Sequence, residues 1–370
     1  MPSIFIKDDL RASVEAATGG RVTVLYTASG QPSYMNVIPK FKLEDIDASL
    51  GAGVHPAFIV GGQEKSEIFI GQFAGVIKNG ELLSLPGVDQ SAMKNHDEFV
   101  SIVRANGNGW HLMTNAEWAA IQLWCWKNGF QPRGNTNNGK SSDAGWETAR
   151  RIDGGTPGDA TGVPRTLTGS GPASWRHDNT ASGISDLCGN VWEWSPGLRL
   201  VDGEIQIIAN NDAAMSGTDL SAASAAWKAI KASDGSLVAP GSAGTLKYDA
   251  TAAGTTGAHG SPQLSDVVTN MNGAAGDSTS APGRTEGVLE ALTAKAGIAP
   301  PAIMKALGLY PVAANGLGGD RLYVRNYGER LAFRGGDWTY GNNAGVFALN
   351  LNGPRTNYAT VIGARPAYVL

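Results

Sequence analysis

The stretch from Arg334 to Leu370 constrains this chain most. It opens on Arg334-Gly335-Gly336-Asp337-Trp338 and closes on Ile362-Gly363-Ala364-Arg365-Pro366-Ala367, with Leu370 last. Between these anchors, Gly345-Val346-Phe347-Ala348-Leu349-Asn350-Leu351-Asn352 alternates in the period of a half-buried β-strand. Asn350 and Asn352 are therefore expected on the solvent side, with Leu349 and Leu351 inward. Short, chemically mixed residues surround that strand: Asp337, Thr339, Tyr340, Asn342 and Asn343 before it, Gly353, Thr356, Asn357, Tyr358, Ala359 and Val361 after it. With Asn350 and Asn352 these make thirteen expected contact residues. Trp338, Phe347, Leu349, Leu351, Ile362 and Arg365 are the expected scaffold. Such a surface suits recognition of a partner better than catalysis.

At 370 residues the chain can bury a large core. Its 50 glycines and 10 tryptophans, against 17% charged residues, describe a loop-rich, aromatic-cored protein and not a helical bundle. A net charge of -4 offers no basic face, so no nucleic-acid partner is expected. The N-terminus has no apolar run of signal-peptide length, and no stretch approaches the ~20 apolar residues of a bilayer span. A soluble chain made in the cytoplasm, without membrane insertion, is the expectation; virion assembly and lysis would carry it outside a cell. Cys125 and Cys188 are too few for a disulfide framework, and Cys125, between Trp124 and Trp126, reads as a buried apolar residue.

Residues 1–50 read as a small β-rich accessory segment and 51–370 as the main domain, with strands near 55–62 and 67–73 joined by glycine turns. A helix is expected over about 90–105. A second runs from Thr114 to Asn128, opened by the capping box Thr114-x-x-Glu117 and stopped by Gly129. Residues 131–183 read as long loops pinned by aromatics. Residues 210–285, dominated by Ala, Gly, Ser and Thr, read as an extended insertion or flexible surface segment. Two short helices are expected beyond it, one carrying Val288, Leu289 and Leu292, the other opened by Pro301.

Three landmarks, in order, carry a resemblance. Trp110-His111-Leu112-Met113-Thr114-Asn115-Ala116-Glu117-Trp118, Gly189-Asn190-Val191-Trp192-Glu193-Trp194 and Arg334-Gly335-Gly336-x-Trp338 resemble the formylglycine-generating-enzyme branch of the C-type lectin fold. The resemblance covers about residues 55–200 and 320–370 and implies an α+β C-type lectin fold with long loops and an insertion. The C-terminal stretch, about 334–365, further resembles the variable region of proteins diversified by retroelements, the family of phage tropism determinants. In that family an error-prone reverse transcriptase rewrites adenines, so Asn codons become almost any residue except Trp, Met, Gln, Lys or Glu. Those five types are absent from Asp337 to Arg365 apart from the framework Trp338. The resemblance implies a non-enzymatic binder of a protein or glycan receptor on a target cell, contacted through the thirteen residues.

Two alternatives stand beside it. One is a formylglycine-generating-enzyme-like oxidase, which would need reactive thiols beyond the Gly-Gly-x-Trp landmark, where this chain has no cysteine. The other is a structural virion protein without diversified binding. His111 and His177 lack partners at zinc-ligand spacing. No cofactor is required by this reading; the metal content is left open, with Asp143, Asp178, Asp186 and Asn135-Thr136-Asn137-Asn138 as oxygen donors for a structural calcium.

Overall fold

The computed structural model describes residues 8–254, 259–271 and 283–370. The N-terminal reading over residues 1–7 and parts of the 210–285 segment lie outside them. The fold is mixed α+β, mostly sheet with few helices. In chain order its principal elements begin with α1 (Asp9–Thr18), β1 (Val22–Tyr26), β2 (Pro32–Pro39), β3 (Glu67–Gly71), α2 (His96–Ala105), β4 (Trp110–Leu112) and α3 (Asn115–Lys127). They continue with β5 (Trp192–Val201), β6 (Glu204–Ile208), β7 (Lys247–Ala250), β8 (Pro262–Ser265), β9 (Arg284–Val288) and α4 (Ala302–Ala306). The last are β10 (Arg321–Arg325), β11 (Glu329–Gly335), β12 (Gly345–Leu351), β13 (Ile362–Gly363) and β14 (Pro366–Tyr368).

Both long helices after residue 90 start at reciprocal caps. Thr114 accepts the Glu117 backbone N–H while the Glu117 carboxylate accepts that of Thr114, as the sequence predicts. Asn95 and Glu98 form the same box, so α2 begins at His96 and not near residue 90. Helix α1 was not foreseen: none of its residues is buried, so no apolar period announces it.

The hairpin β1–β2 joins β3, and β14 closes on both β3 and β4, giving a five-stranded sheet in the order β1-β2-β3-β14-β4. The expected N-terminal β segment thus shares a sheet with the chain's last strand. Among the described residues, a twelve-stranded sheet runs β9-β10-β12-β11-β5-β6-β7-β8, with shorter strands at its margins, and β13 pairs parallel to β5.

Three expectations are corrected. Residues 210–254 and 259–271 are no loose surface segment, because β7 and β8 extend the large sheet and Trp227, Tyr248, Leu264 and Met271 are buried. Their composition is low in apolar residues, but most of the large ones face inward, with Met215 and Val267 the exposed exceptions. Val288 ends strand β9, held by five register pairs to β10, and only a single 3-10 turn, Leu289–Ala291, follows it. Finally, β12 is buried along its whole length and not on one face. Phe347, Leu349 and Leu351 enter one apolar core with Trp118 and Ile121 of α3. Ala348 enters a second, with Trp192, Trp194, Tyr323 and Phe333. The alternation is real; both sides are covered.

Candidate functional site

Register explains where Asn350 goes. It lies opposite Tyr323 of β10 and Phe333 of β11, and Phe333 lies opposite Trp194 of β5. Directly paired residues share a face, so one asparagine stands in a row of three aromatic rings. Beyond that row, Trp192 packs edge-on against Tyr340 at 5.0 Å and against Tyr323 at 6.1 Å between ring centroids. Over these rings opens a pocket of about 470 Å³. Eight of the thirteen expected contact residues line it: Asp337, Tyr340, Asn350, Asn352, Gly353, Asn357, Ala359 and Val361. Their companions are Trp192, Arg325, Arg330, Phe333, Pro354 and Ile362.

The loops around the pocket are fixed through their backbones. On the C-terminal side, carbonyls accept from the framework: Gly353 O from Leu331 N at 2.9 Å, Ala359 O from Met93 N at 3.1 Å, Thr360 O from Arg165 Nη1 at 3.0 Å, and Val361 O from Trp192 N at 2.8 Å. Arg355 points away from the pocket and forks onto Glu329, with both N–O distances 2.9 Å, while its Nη1 reaches Asp97 at 2.7 Å. On the other side, Trp338 O accepts from Asn138 N at 2.9 Å, and Gly341 N donates to Thr136 O at 3.0 Å. Held this way, the loops can vary their side chains with little change of path.

The individual side chains fare differently. Thr339, Asn342, Thr356 and Tyr358 are exposed, and Asn343 is half-buried; none of these five lines the pocket. Thr356 instead borders an adjoining hollow of about 490 Å³ against Asn95, Asp97 and Arg355. The expectation that Asn350 faces solvent is corrected: it is 8% exposed, and its Oδ1 accepts the Asn352 backbone N–H at 2.9 Å. Asp337 is buried too, and its Oδ1 accepts from Thr339 N at 2.8 Å and Thr339 Oγ1 at 2.7 Å. Burial raises the Asp337 carboxyl above the usual range against those bonds, and raises the Tyr340 phenol, helped by the nearby Asp337 charge. Gly353 offers no side-chain contact: a Cβ there would stand 2.3 Å from the Phe333 ring. Asn352 Oδ1 is shut off from water with no hydrogen-bond partner among the described residues.

Sequence reasoning missed Trp192, Phe333, Arg325 and Arg330 as pocket residues. Trp192 sits in a motif read as scaffold, and it is both. The other three reach the site only through strand register, which leaves no local signal.

Under the site lies a buried polar interior, satisfied at Arg365 but leaving Arg334 Nη1 without a partner among the described residues. Arg365, fully buried, forks onto Glu193 at 3.0 and 2.6 Å and donates to the carbonyls of Gly71 and Ser185, each at 2.9 Å. Burial raises the Glu193 carboxyl, opposed by Arg365. Arg334 forks onto Asn115 Oδ1 at 3.1 and 2.6 Å, and burial lowers its guanidinium to about 9. The Glu117 of the capping box also takes His111 Nε2 at 2.8 Å and Asn211 Nδ2 at 3.0 Å. Gly336 turns the chain into the site at φ 93°, where a Cβ would meet Ala344 Cβ at 2.3 Å.

Cys125 and Cys188 are free and buried, and desolvation pushes both thiols up. Asp178 and Asp186 spend their oxygens on local turns, on Thr180 and on Gly169 and Ser185. Among the described residues no group of three or more His, Cys, Asp or Glu side chains is placed to hold a metal ion, and no helix is long and apolar enough to cross a membrane. No protein-family model matches the chain, and no curated protein matches it.

Proposed function

We propose that this protein binds a macromolecular ligand through the face around the 470 Å³ pocket, on a C-type lectin scaffold whose C-terminal stretch is diversified by a retroelement. One observation carries the reading. Eight residues picked from the sequence as contacts converge on one open pocket, while the six expected anchors are all buried. The pinned backbone supports it further, since a diversified surface needs a path that does not depend on its side chains. Fixed aromatics at the pocket floor offer large contact area at low entropic cost, and Tyr358, 59% exposed, offers the same at its rim. The ligand would be a protein or glycan receptor on a target cell, reached after virion assembly and lysis. The reading has the protein as a binder and not an oxidase, because buried thiols with raised pKa values are poor nucleophiles. A structural calcium stays outside it.

Deep sequencing of the encoding locus across a population tests this. Diversification predicts a near-identical template repeat beside a reverse transcriptase gene, with differences at adenines and amino-acid changes concentrated among the thirteen positions, Gly353 excepted because a Cβ there would press on Phe333. Substitutions spread evenly over the chain, or confined to synonymous sites, would refute it.

A further inference from the structure

A second pocket, of about 320 Å³, lies where the N-terminal hairpin meets α3 and the loop at His177. Its walls are apolar: Ile38, Pro39 and Phe41 from the end of β2 and just beyond, with Ile121 and Trp124 from α3. The volume falls at the small end of ligand sites, which run from about 300 to 1,000 Å³ and combine apolar walls with a few placed polar groups. Here the placed group is His177, 6% exposed. Its Nδ1 accepts the Ile184 backbone N–H at 2.8 Å, so the neutral ring carries its proton on Nε2. Burial lowers His177 to about 4, which keeps it neutral at pH 7. Nε2–H has no protein partner among the described residues, and the ring packs on Trp124 at 5.2 Å between centroids.

The charged groups at the pocket are unequal. Asp178 is occupied by the backbone N–H and hydroxyl of Thr180, at 2.9 and 2.8 Å. Lys40 pairs with Glu64 at 2.9 Å. Arg21 is exposed, donates only to the Thr18 carbonyl at 3.2 Å, and makes no ion pair among the described residues. Beside the Asp178 carboxylate and the Asn36 Oδ1, which is unpartnered among the described residues, the slot holds one donor and one cation uncommitted among those residues, His177 Nε2–H and Arg21. These two complement a flat apolar body ending in an anionic acceptor. We infer that this pocket binds a small aromatic carboxylate, its ring between Trp124 and Ile38 and its carboxylate shared by His177 Nε2–H and Arg21. The site is separate from the pocket over Trp192, and the inference stands whether or not the proposed function does.

Calorimetric titration of the full chain with indole-3-acetate, benzoate and tryptamine tests it. Indole-3-acetate should bind at one site per chain, at least about tenfold more tightly than tryptamine, a difference near 1.4 kcal/mol. Arg21→Gln should remove about tenfold of that affinity, and Trp124→Ala should abolish binding, each in a protein whose melting profile shows it folded. Tyr358→Ala should leave binding unchanged. Absence of heat with both carboxylates, equal binding of tryptamine, or binding that survives both Arg21→Gln and Trp124→Ala would overturn the inference. Because Arg21 is exposed, its substitution remains informative even if Trp124→Ala fails to fold.

Discussion

Arg365 and Asn352 belong to the same C-terminal stretch, yet their polar atoms meet opposite fates. Every nitrogen of the Arg365 guanidinium has a partner, and the group is fully buried. Asn352 leaves its side-chain oxygen at the pocket without a partner among the described residues. An unmet buried acceptor costs free energy that only an incoming donor recovers. The difference shows that one stretch carries both a fully paired interior group and an unpartnered polar atom at the pocket. The division is not strict, because buried Arg334 also leaves its Nη1 without a partner among the described residues.

The harshest way to break that comparison is to remove its fixed half. Arg365→Met would leave Glu193 buried without its counter-ion, with an expected loss of about 3–5 kcal/mol in chemical denaturation. Trp338→Ala should cost a similar ~3–5 kcal/mol by opening a cavity. Gly353→Ala sharpens the boundary: although Gly353 sits among face residues, its Cβ would press on Phe333. Overpacking of that kind should destabilise by about 1–3 kcal/mol, and a neutral effect would return Gly353 to the face.

Asp320 gives a pH-dependent version of the same test. Its carboxyl lies buried beneath β12, accepts the Phe347 N–H at 2.7 Å, and is raised by burial from 3.8 to about 8. Between those values the folded protein keeps a proton that the unfolded chain has released. This group's contribution to stability therefore falls as pH rises from about 4 to 8, by at most ~1.4 kcal/mol per unit. Melting temperatures across that window should slope less for Asp320→Asn than for the parent; identical slopes would contradict the assignment. At the small end, Thr339→Ala and Tyr358→Ala should each stay within about 0.5 kcal/mol, since each truncates an exposed side chain.

Local patterns were the legible part. The Thr114–Glu117 cap and the inward Leu349 and Leu351 follow from short-range rules, and the structure has both; Trp338 and Arg365, implied as anchors by the resemblance, are buried. What escaped depends on pairing between distant strands. Asn350 reads as a solvent residue from its period alone, but Tyr323 and Phe333 arrive beside it from other strands. Trp227 and Tyr248 show the same limit within 210–285, where two large side chains outweigh the small, polar composition around them.

Exposed or half-buried contact candidates and buried anchors divide the C-terminal stretch, and a paired library measures that division. One library would randomise Thr339, Asn342, Asn343, Asn352, Thr356, Asn357 and Tyr358; the other would randomise Phe347, Leu349, Leu351, Ile362 and Arg365. Both would be displayed, sorted for protease resistance, and then selected against an unrelated soluble protein. Most members of the first library should survive the protease and yield specific binders, while few of the second survive. Equal survival in the two libraries, or a folded first library that never yields a binder, would contradict it.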